Sequence, residues 1–242
     1  MKLNTLLILS VLTATCARAV VPTPGTLSAT WSGSQTIPDN NASGLTFQFS
    51  LNAPEPVSIT NVTVNLILTG GWDGDLYAYL SHGSGFSVLL NRIGSSSSNP
   101  GGSGASGMSV EFSDSYLTDI HTGTGGSVMG NFAPDGRFVN PYTALDTDPR
   151  NAMLGNFNYL DPNGSWTLFL ADVSPLAVST VQGWTVTVET AAIQAVPEPG
   201  SAALLAAALA IGIFQRWRSA ASRRRNGIKS AAAPRCWSPY LW

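Results

Sequence analysis

The chain has 242 residues, of which 11% are charged and 24 are glycine, and its formal net charge is −2. This length suffices for one large domain with its own core. Residues 20–199 hold three arginines and all 14 acidic residues, a net charge of 3 − 14 = −11. That charge excludes a nucleic-acid-binding surface, which needs the opposite sign. Both cysteines, Cys16 and Cys236, lie outside this segment, so we expect no disulfide or cysteine metal site within it.

The first 19 residues have the parts of a secretory signal peptide. Lys2 supplies a positive start, residues 6–12 form a short apolar run, and Ala17 and Ala19 form a small-x-small cleavage site. A buried N-terminal helix is the alternative interpretation. We predict that residues 1–19 are a signal peptide and that the chain is exported.

Residues 20–195 are predicted to form one all-β domain. Apolar and polar residues alternate with period two, and no stretch keeps a helical period. This pattern favours a two-layer antiparallel β-sandwich. The predicted strands cover residues 27–31, 46–51, 62–68, 76–80, 86–90, 108–112, 166–170 and 184–188.

Two connections in this domain are long. Residues 95–107 are almost wholly serine and glycine, which predicts a mobile loop. Residues 113–157 are too long for a simple connection, so we expect either a structured functional loop or short strands without a clear sequence pattern.

The turn Asp73-Gly74-Asp75 places two carboxylates close together in the chain. Calcium prefers carboxylate and carbonyl oxygens supplied by loops. Aspartate also closes turns by bonding its own backbone, which is the alternative role here. We predict a calcium site at Asp73 and Asp75, and no other cofactor.

The segment 74–80, Gly-Asp-Leu-Tyr-Ala-Tyr-Leu, precedes a Gly-Ser-Gly turn and the run Val88-Leu89-Leu90. These motifs resemble the P domain (Homo B domain) of subtilisin-like proprotein convertases. Residues 163–172 and 183–186 resemble the two later tryptophan-containing strands of that family. The resemblance spans roughly residues 45–190 and implies a jelly-roll sandwich that accompanies a protease. Members of the family can bind calcium, in keeping with the predicted site.

Catalytic motifs are sparse. The chain has two histidines, His82 in a predicted hairpin turn and His121 in the long loop, and no Gly-x-Ser-x-Gly elbow. Trp166 and Trp184 stand among apolar neighbours, which predicts core positions, whereas Trp72 in a glycine-rich turn is a candidate sugar-stacking platform. We predict that the domain is not an enzyme.

The C-terminal part begins with Val196, Pro197, Glu198 and Pro199 and continues with an apolar run over residues 202–214. A basic cluster follows, formed by Arg216, Arg218, Arg223, Arg224 and Arg225. Residues 200–217 approach the lower length limit of a transmembrane helix, and the arginines would remain cytoplasmic. A surface helix with a basic end is the alternative.

The order of these three parts resembles the PEP-CTERM sorting signal of Gram-negative bacteria over residues 196–225. The resemblance implies recognition and cutting by an exosortase. It also implies an inner-membrane anchor during sorting, followed by release to the cell surface or the extracellular matrix. Residues 226–242 form a tail to which we assign no role.

Together these features predict a non-catalytic exported domain with adhesion, matrix or accessory-binding duties. One alternative is a carbohydrate-binding module of an exopolysaccharide matrix, centred on Trp72. The other is a protease-associated P domain that acts with a separate serine-type endopeptidase. The predicted partners are an exosortase, the inner membrane, and either an exopolysaccharide or another surface protein.

Overall fold

The computed structural model describes residues 25–123, 126–193 and 207–218. The chain divides into two compact units, Met1–Ile193 and Gln194–Trp242. The described part of the first unit consists of β-strands in two sheets, joined by loops and short 3-10 turns. This confirms the all-β prediction.

The strands alternate inward and outward side chains, as the sequence pattern predicts. One sheet has the strand order β1-β9-β3-β6-β7, and the other has the order β2-β8-β4-β5. The strands are β1 Gly25–Thr36, β2 Asn41–Leu51, β3 Val57–Gly70, β4 Leu76–His82, β5 Gly85–Asn91, β6 Met108–Phe112, β7 Val128–Phe132, β8 Gly164–Asp172 and β9 Ser179–Ala192.

The sandwich is not wholly antiparallel, which corrects the sequence prediction. β6 and β7 pair in parallel, whereas the other strand pairs of the two sheets are antiparallel. β7 lies within the long loop 113–157, where no alternation marks it. A connection through Ile120–Thr122 carries the chain back, so β7 enters the sheet in the same direction as β6.

The core lies between the two sheets. Val62, Val64 and Leu66 of β3 are at most 1% exposed, because every second residue of the strand faces inward. Trp166 and Trp184, one from each sheet, are also buried there, which confirms their predicted core positions.

The serine- and glycine-rich loop 95–107 is packed against the turn before β4. Ser103 N donates to Ile93 O at 2.6 Å, and Gly74 N donates to Ser103 O at 2.9 Å. A Cβ at Gly74 would collide with the backbone nitrogen of Ser103, so the small residue permits this close approach. Small side chains here serve backbone packing, which the prediction of a mobile loop overlooked.

In the second unit, residues 207–218 form a helix, α1, whose apolar side chains are exposed. The guanidinium carbon of Arg218 lies 5.7 Å from the Phe214 ring centroid. Within the described residues, no helix has the length and apolar character needed to cross a membrane. The predicted membrane segment 200–217 is only partly described, and its transmembrane character is not confirmed.

Several predicted features lie outside the described residues. They are the signal peptide with Ala17 and Ala19, the motif Val196, Pro197, Glu198 and Pro199, the arginines Arg223, Arg224 and Arg225, and the tail 226–242.

Candidate functional site

The turn between β3 and β4 carries the two residues predicted to bind calcium. Asp73–Asp75 form a 3-10 turn that is closed by a hydrogen bond from Asp75 N to Trp72 O, 3.0 Å long. Asp73 is 0% exposed and Asp75 is 3% exposed. The turn is therefore buried beneath the loop 95–107, whereas carboxylates that merely close turns usually face water.

Asp73 has no hydrogen-bond partner for either carboxylate oxygen among the described residues. Burial raises the pKa of Asp73 to about 7, and the nearby backbone amide of Gly107 opposes this rise. An ionised carboxylate without a partner is costly inside a protein. Near neutral pH, Asp73 therefore has to bind a proton or gain a cation.

Asp75 lies close to a second buried carboxylate, that of Asp172. The start of β4 pairs with the end of β8, where Leu76 stands opposite Asp172. Both Asp75 Oδ2 and Asp172 Oδ2 lack a hydrogen-bond partner within the described part of the chain. The sequence marks Asp172 only as a strand end, and its place beside Asp75 depends on the strand pairing.

Burial sets the direction of the pKa shift of Asp75, and neighbouring groups modify it. Burial raises the pKa of Asp75, Ser174 and Arg92 lower it, and the charge of Asp39 raises it. Burial likewise raises the pKa of Asp172 to about 6, with an opposing hydrogen bond from the Ser174 amide and further increases from Asp75 and Asp39. Asp75 and Asp172 thus favour bound protons or a cation.

Arg92 is the basic group of this region. Its Nε donates to Gly74 O at 2.9 Å, and its Nη2 donates to Gly101 O at 3.3 Å and to Ser174 Oγ at 3.4 Å. The guanidinium thus ties the Asp73 turn to the loops beside it. One positive charge offsets only part of the negative charge of Asp75, Asp172 and Asp39.

The carboxylates of Asp75 and Asp172 supply some, but not all, of the oxygen ligands that a hard cation needs. Among the described residues, no group of three or more histidine, cysteine, aspartate or glutamate side chains is placed to hold a metal ion together. A cation at Asp75 and Asp172 would thus complete its shell with carbonyl oxygens and water, which calcium accepts. The calcium site of Asp73 and Asp75 stays a prediction.

His121 belongs to a buried ionic cluster in the long loop 113–157. Its Nδ1 lies 2.7 Å from Asp135 Oδ2, and its Nε2 lies 2.8 Å from Ser95 O. Arg137 contacts Asp135 at 3.3 Å and Asp119 at 2.9 Å. These pairs join segments of the loop that lack a sequence pattern and hold its described parts together.

The His121 and Asp135 pair resembles part of a catalytic triad but lacks a nucleophile. Nε2 of His121 faces a backbone carbonyl, and the Ser95 hydroxyl donates instead to Ala144 O at 2.7 Å. A triad needs a hydroxyl or thiol at that nitrogen. Both ring nitrogens of His121 are therefore engaged in structural contacts.

His82 is also occupied by structural contacts. Its Nδ1 lies 3.0 Å from Ser165 O, and its Nε2 lies 2.7 Å from Asp161 O. The ring stacks on Trp166 with centroids 4.2 Å apart and an interplanar angle of 1°. The residue is buried at the end of β4 rather than in the following turn, because cross-strand pairing with Trp166 draws it inward.

Trp72 is 43% exposed, as its glycine-rich turn predicts. Among the described residues, an aromatic cluster lies elsewhere, on the outward side of the sheet β2-β8-β4-β5. There the rings of Tyr79 and Phe169 stack with centroids 4.8 Å apart. The alternation within β4 indicates that Tyr77 and Tyr79 share one face of the strand. The alternation does not show that Phe169 of β8 lies beside them.

Comparisons with known proteins leave the family open. No family model matches the chain, and no curated protein matches its sequence. Among solved structures, one partial match is to a chain of the complex of the Aeromonas sobria serine protease and the chaperone. The match has 13% sequence identity and a TM-score of 0.41, and it covers 72% of this chain and 28% of that chain.

Proposed function

We propose that this chain is an exported, non-catalytic, calcium-binding β-sandwich that serves as a binding module at the cell envelope. The observation that carries the calcium binding is the pair of unpartnered, buried carboxylate oxygens of Asp75 and Asp172. A cation held between them and nearby carbonyl groups would replace the lost hydration of both charges.

The non-catalytic part of the proposal is supported by the two histidines. Each ring has both nitrogens directed at structural acceptors, so neither His82 nor His121 has a nitrogen left to serve as a general base. Buried side chains with these contacts stabilise loops rather than bind substrate.

Calcium is expected to raise the melting temperature of the domain at pH 8. At a hundredfold excess over Kd, a cation that binds only the folded state adds about 2.7 kcal/mol. For a domain of this size, that corresponds to a melting shift of roughly 5–11 °C. The measurement is a melting curve in millimolar calcium and in chelator. Equal melting temperatures in the two buffers would remove the calcium site.

Asp75→Asn and the control Asp146→Asn locate the effect. Asp75→Asn should abolish the calcium shift and raise the melting temperature in chelator, because it removes a buried repulsive charge. Asp146 is exposed and lies in another loop, so Asp146→Asn should keep the full shift. A shift that survives Asp75→Asn would place the cation elsewhere.

The rise in melting temperature caused by calcium is expected to depend on pH. The pKa values of Asp73 and Asp172, about 7 and about 6, lie above the ordinary value of 3.8. Proton binding therefore favours the folded state, and in chelator this stabilisation is complete below about pH 4 and is lost as pH rises through 6 and 7. Calcium competes with the proton of Asp172, so its stabilisation should be smaller at pH 5 than at pH 8.

Export and sorting rest on the two terminal segments. We propose cleavage after Ala19, transient inner-membrane anchoring through residues 200–217, and exosortase processing at residues 196–199. The mature protein would then reside at the cell surface or in the extracellular matrix. Mass spectrometry of protein from the cell surface should find a chain that starts at Val20 and stops near Pro197 to Pro199. A mature chain that retains Arg223–Arg225 would contradict the sorting step.

A protease-associated role is the second candidate. The observation that favours it is the resemblance of residues 74–90 and 163–172 to the P domain, which carries with it the jelly-roll connectivity. A P domain would act beside a separate protease and would itself remain non-catalytic. Co-purification of the exported domain with a subtilisin-like protease would favour this candidate over a matrix-binding module.

A further inference from the structure

A row of aromatic rings covers the outward side of the sheet β2-β8-β4-β5. Tyr79 lies at its centre, with ring centroids 4.8 Å from Phe169 and 5.0 Å from Phe86. Tyr77 flanks Tyr79 at 6.1 Å, and Phe138 from the long loop extends the row beyond Phe86 at 5.1 Å. We call these five rings the aromatic face.

Along β2, β8 and β4 the aromatic face is bordered by uncharged residues, and Asp135, whose charge acts on Tyr77, is buried and paired with His121 and Arg137. By strand register, the outward positions beside it in β2, β8 and β4, apart from Ala171 opposite Tyr77, are serine, threonine or glutamine. They are Thr46, Gln48, Ser50, Ser165, Thr167 and Ser81. Residues 20–199 carry a net charge of −11, yet none of these outward positions holds a charged residue. Such a surface fits a neutral ligand rich in hydroxyl groups.

A groove of about 530 Å³ continues the aromatic face towards the long loop, with Phe86 and Phe138 in its wall. Phe138 packs edge-on against Phe86 and is still 64% exposed, so it extends the aromatic face as a contiguous apolar patch, which is typical of interaction sites. Asn156 Nδ2 donates to Phe86 O and to Asn151 O, both at 3.1 Å, which fixes an amide at the groove. Apolar walls with a few fixed polar groups are typical of ligand sites.

The neighbouring sheet edge does not offer a strand-addition site for a peptide. Val88 N donates to Ala152 O, and Gly136 N donates to Val88 O, both at 2.9 Å. The long loop therefore occupies the hydrogen-bonding groups of β5 at this point. A peptide that adds a strand needs such groups free.

We propose that the aromatic face and its groove bind a neutral polysaccharide. The rings of Tyr79, Phe86 and Phe138 would stack against the apolar faces of successive sugar units. The tyrosine hydroxyls and the Asn151 and Asn156 amides would meet the sugar hydroxyls at the rim. This inference rests on the proposed non-catalytic binding role and names its ligand class.

Affinity electrophoresis of the exported domain tests the proposal. The gels contain a neutral β-glucan, a xylan or a galactomannan, and an alginate gel serves as the anionic control. At least one neutral polysaccharide should retard the wild-type domain, and alginate should not. Phe138→Ala should weaken that binding by about tenfold or more, as expected for the loss of an aromatic ring that stacks on the ligand in the groove.

Trp72→Ala is the matched control, since Trp72 is also exposed but lies outside the aromatic face. It should bind like the wild type. Absence of retardation in all three neutral gels, retardation by alginate alone, or loss of binding in Trp72→Ala but not in Phe138→Ala would each overturn the proposal. Melting curves confirm that every variant is folded. Release of reducing ends would instead contradict the non-catalytic role while leaving binding intact.

Discussion

Replacing Asp135 with alanine is expected to lower the free energy of unfolding of the β-sandwich by about 3–5 kcal/mol, as is usual when one partner of a buried ion pair is removed. For a domain of this size, the melting temperature should fall by roughly 6–20 °C. Asp135 is 0% exposed, and it contacts both His121 and Arg137. The alanine leaves two buried cationic groups without their shared carboxylate. Thermal or urea unfolding measures the loss.

Asp146→Ala is the control, because Asp146 lies in the same loop but is exposed. Its effect should stay within about 0.5 kcal/mol. If Asp135→Ala changes stability no more than Asp146→Ala does, the buried cluster does not organise the loop.

The loss in Asp135→Ala should also depend on pH. Burial opposes the charged imidazole, but the hydrogen bond and charge of Asp135, with the Ser95 carbonyl, raise the pKa of His121. The contribution of this pair is therefore complete below the unfolded histidine pKa of about 6.5 and is lost as pH rises through the raised value. The difference between wild type and variant should thus be larger at pH 6 than at alkaline pH.

Replacing Trp166 with alanine is expected to destabilise the sandwich by about 3–5 kcal/mol, or roughly 6–20 °C in melting temperature. Trp166 is 0% exposed, and it packs on His82 and on Phe157, whose ring centroid lies 5.2 Å away. The alanine would leave a large cavity between the sheets and release the stacked His82 ring. Equilibrium unfolding with denaturant measures this difference.

Phenylalanine substitutions separate packing from hydrogen bonding. Trp166 Nε1 donates to Pro162 O at 3.0 Å, whereas Trp184 Nε1 is buried without a partner among the described residues. Trp166→Phe should therefore cost about 1 kcal/mol more than Trp184→Phe. Equal costs for the two variants would show that the indole hydrogen bond adds nothing to the role of Trp166.

The calcium and polysaccharide proposals concern different parts of one sandwich. The carboxylates of Asp75 and Asp172 lie where β4 begins and β8 ends. The aromatic rings lie further into the same strands, with Tyr79 four residues after Asp75 and Phe169 three residues before Asp172. A cation that holds the ends of β4 and β8 together would also steady the strands that present the rings, which links the proposed stability and binding roles.

The sequence by itself determined the all-β class, the positions of eight strands and the core places of Trp166 and Trp184. Period-two alternation reports these features directly, because neighbouring side chains in a strand point to opposite faces. The exposed position of Trp72 also followed from its glycine-rich turn. Each of these properties depends on residues near one another in the chain.

Only the tertiary structure decided which distant residues meet. The pairing of β4 with β8 brings Asp172 beside Asp75, Trp166 onto His82 and Phe169 onto Tyr79. The long loop adds β7 in parallel and buries His121 against Asp135, although neither feature has a local pattern. Register and burial result from packing across the whole domain, so alternation within one strand cannot specify the neighbours of that strand.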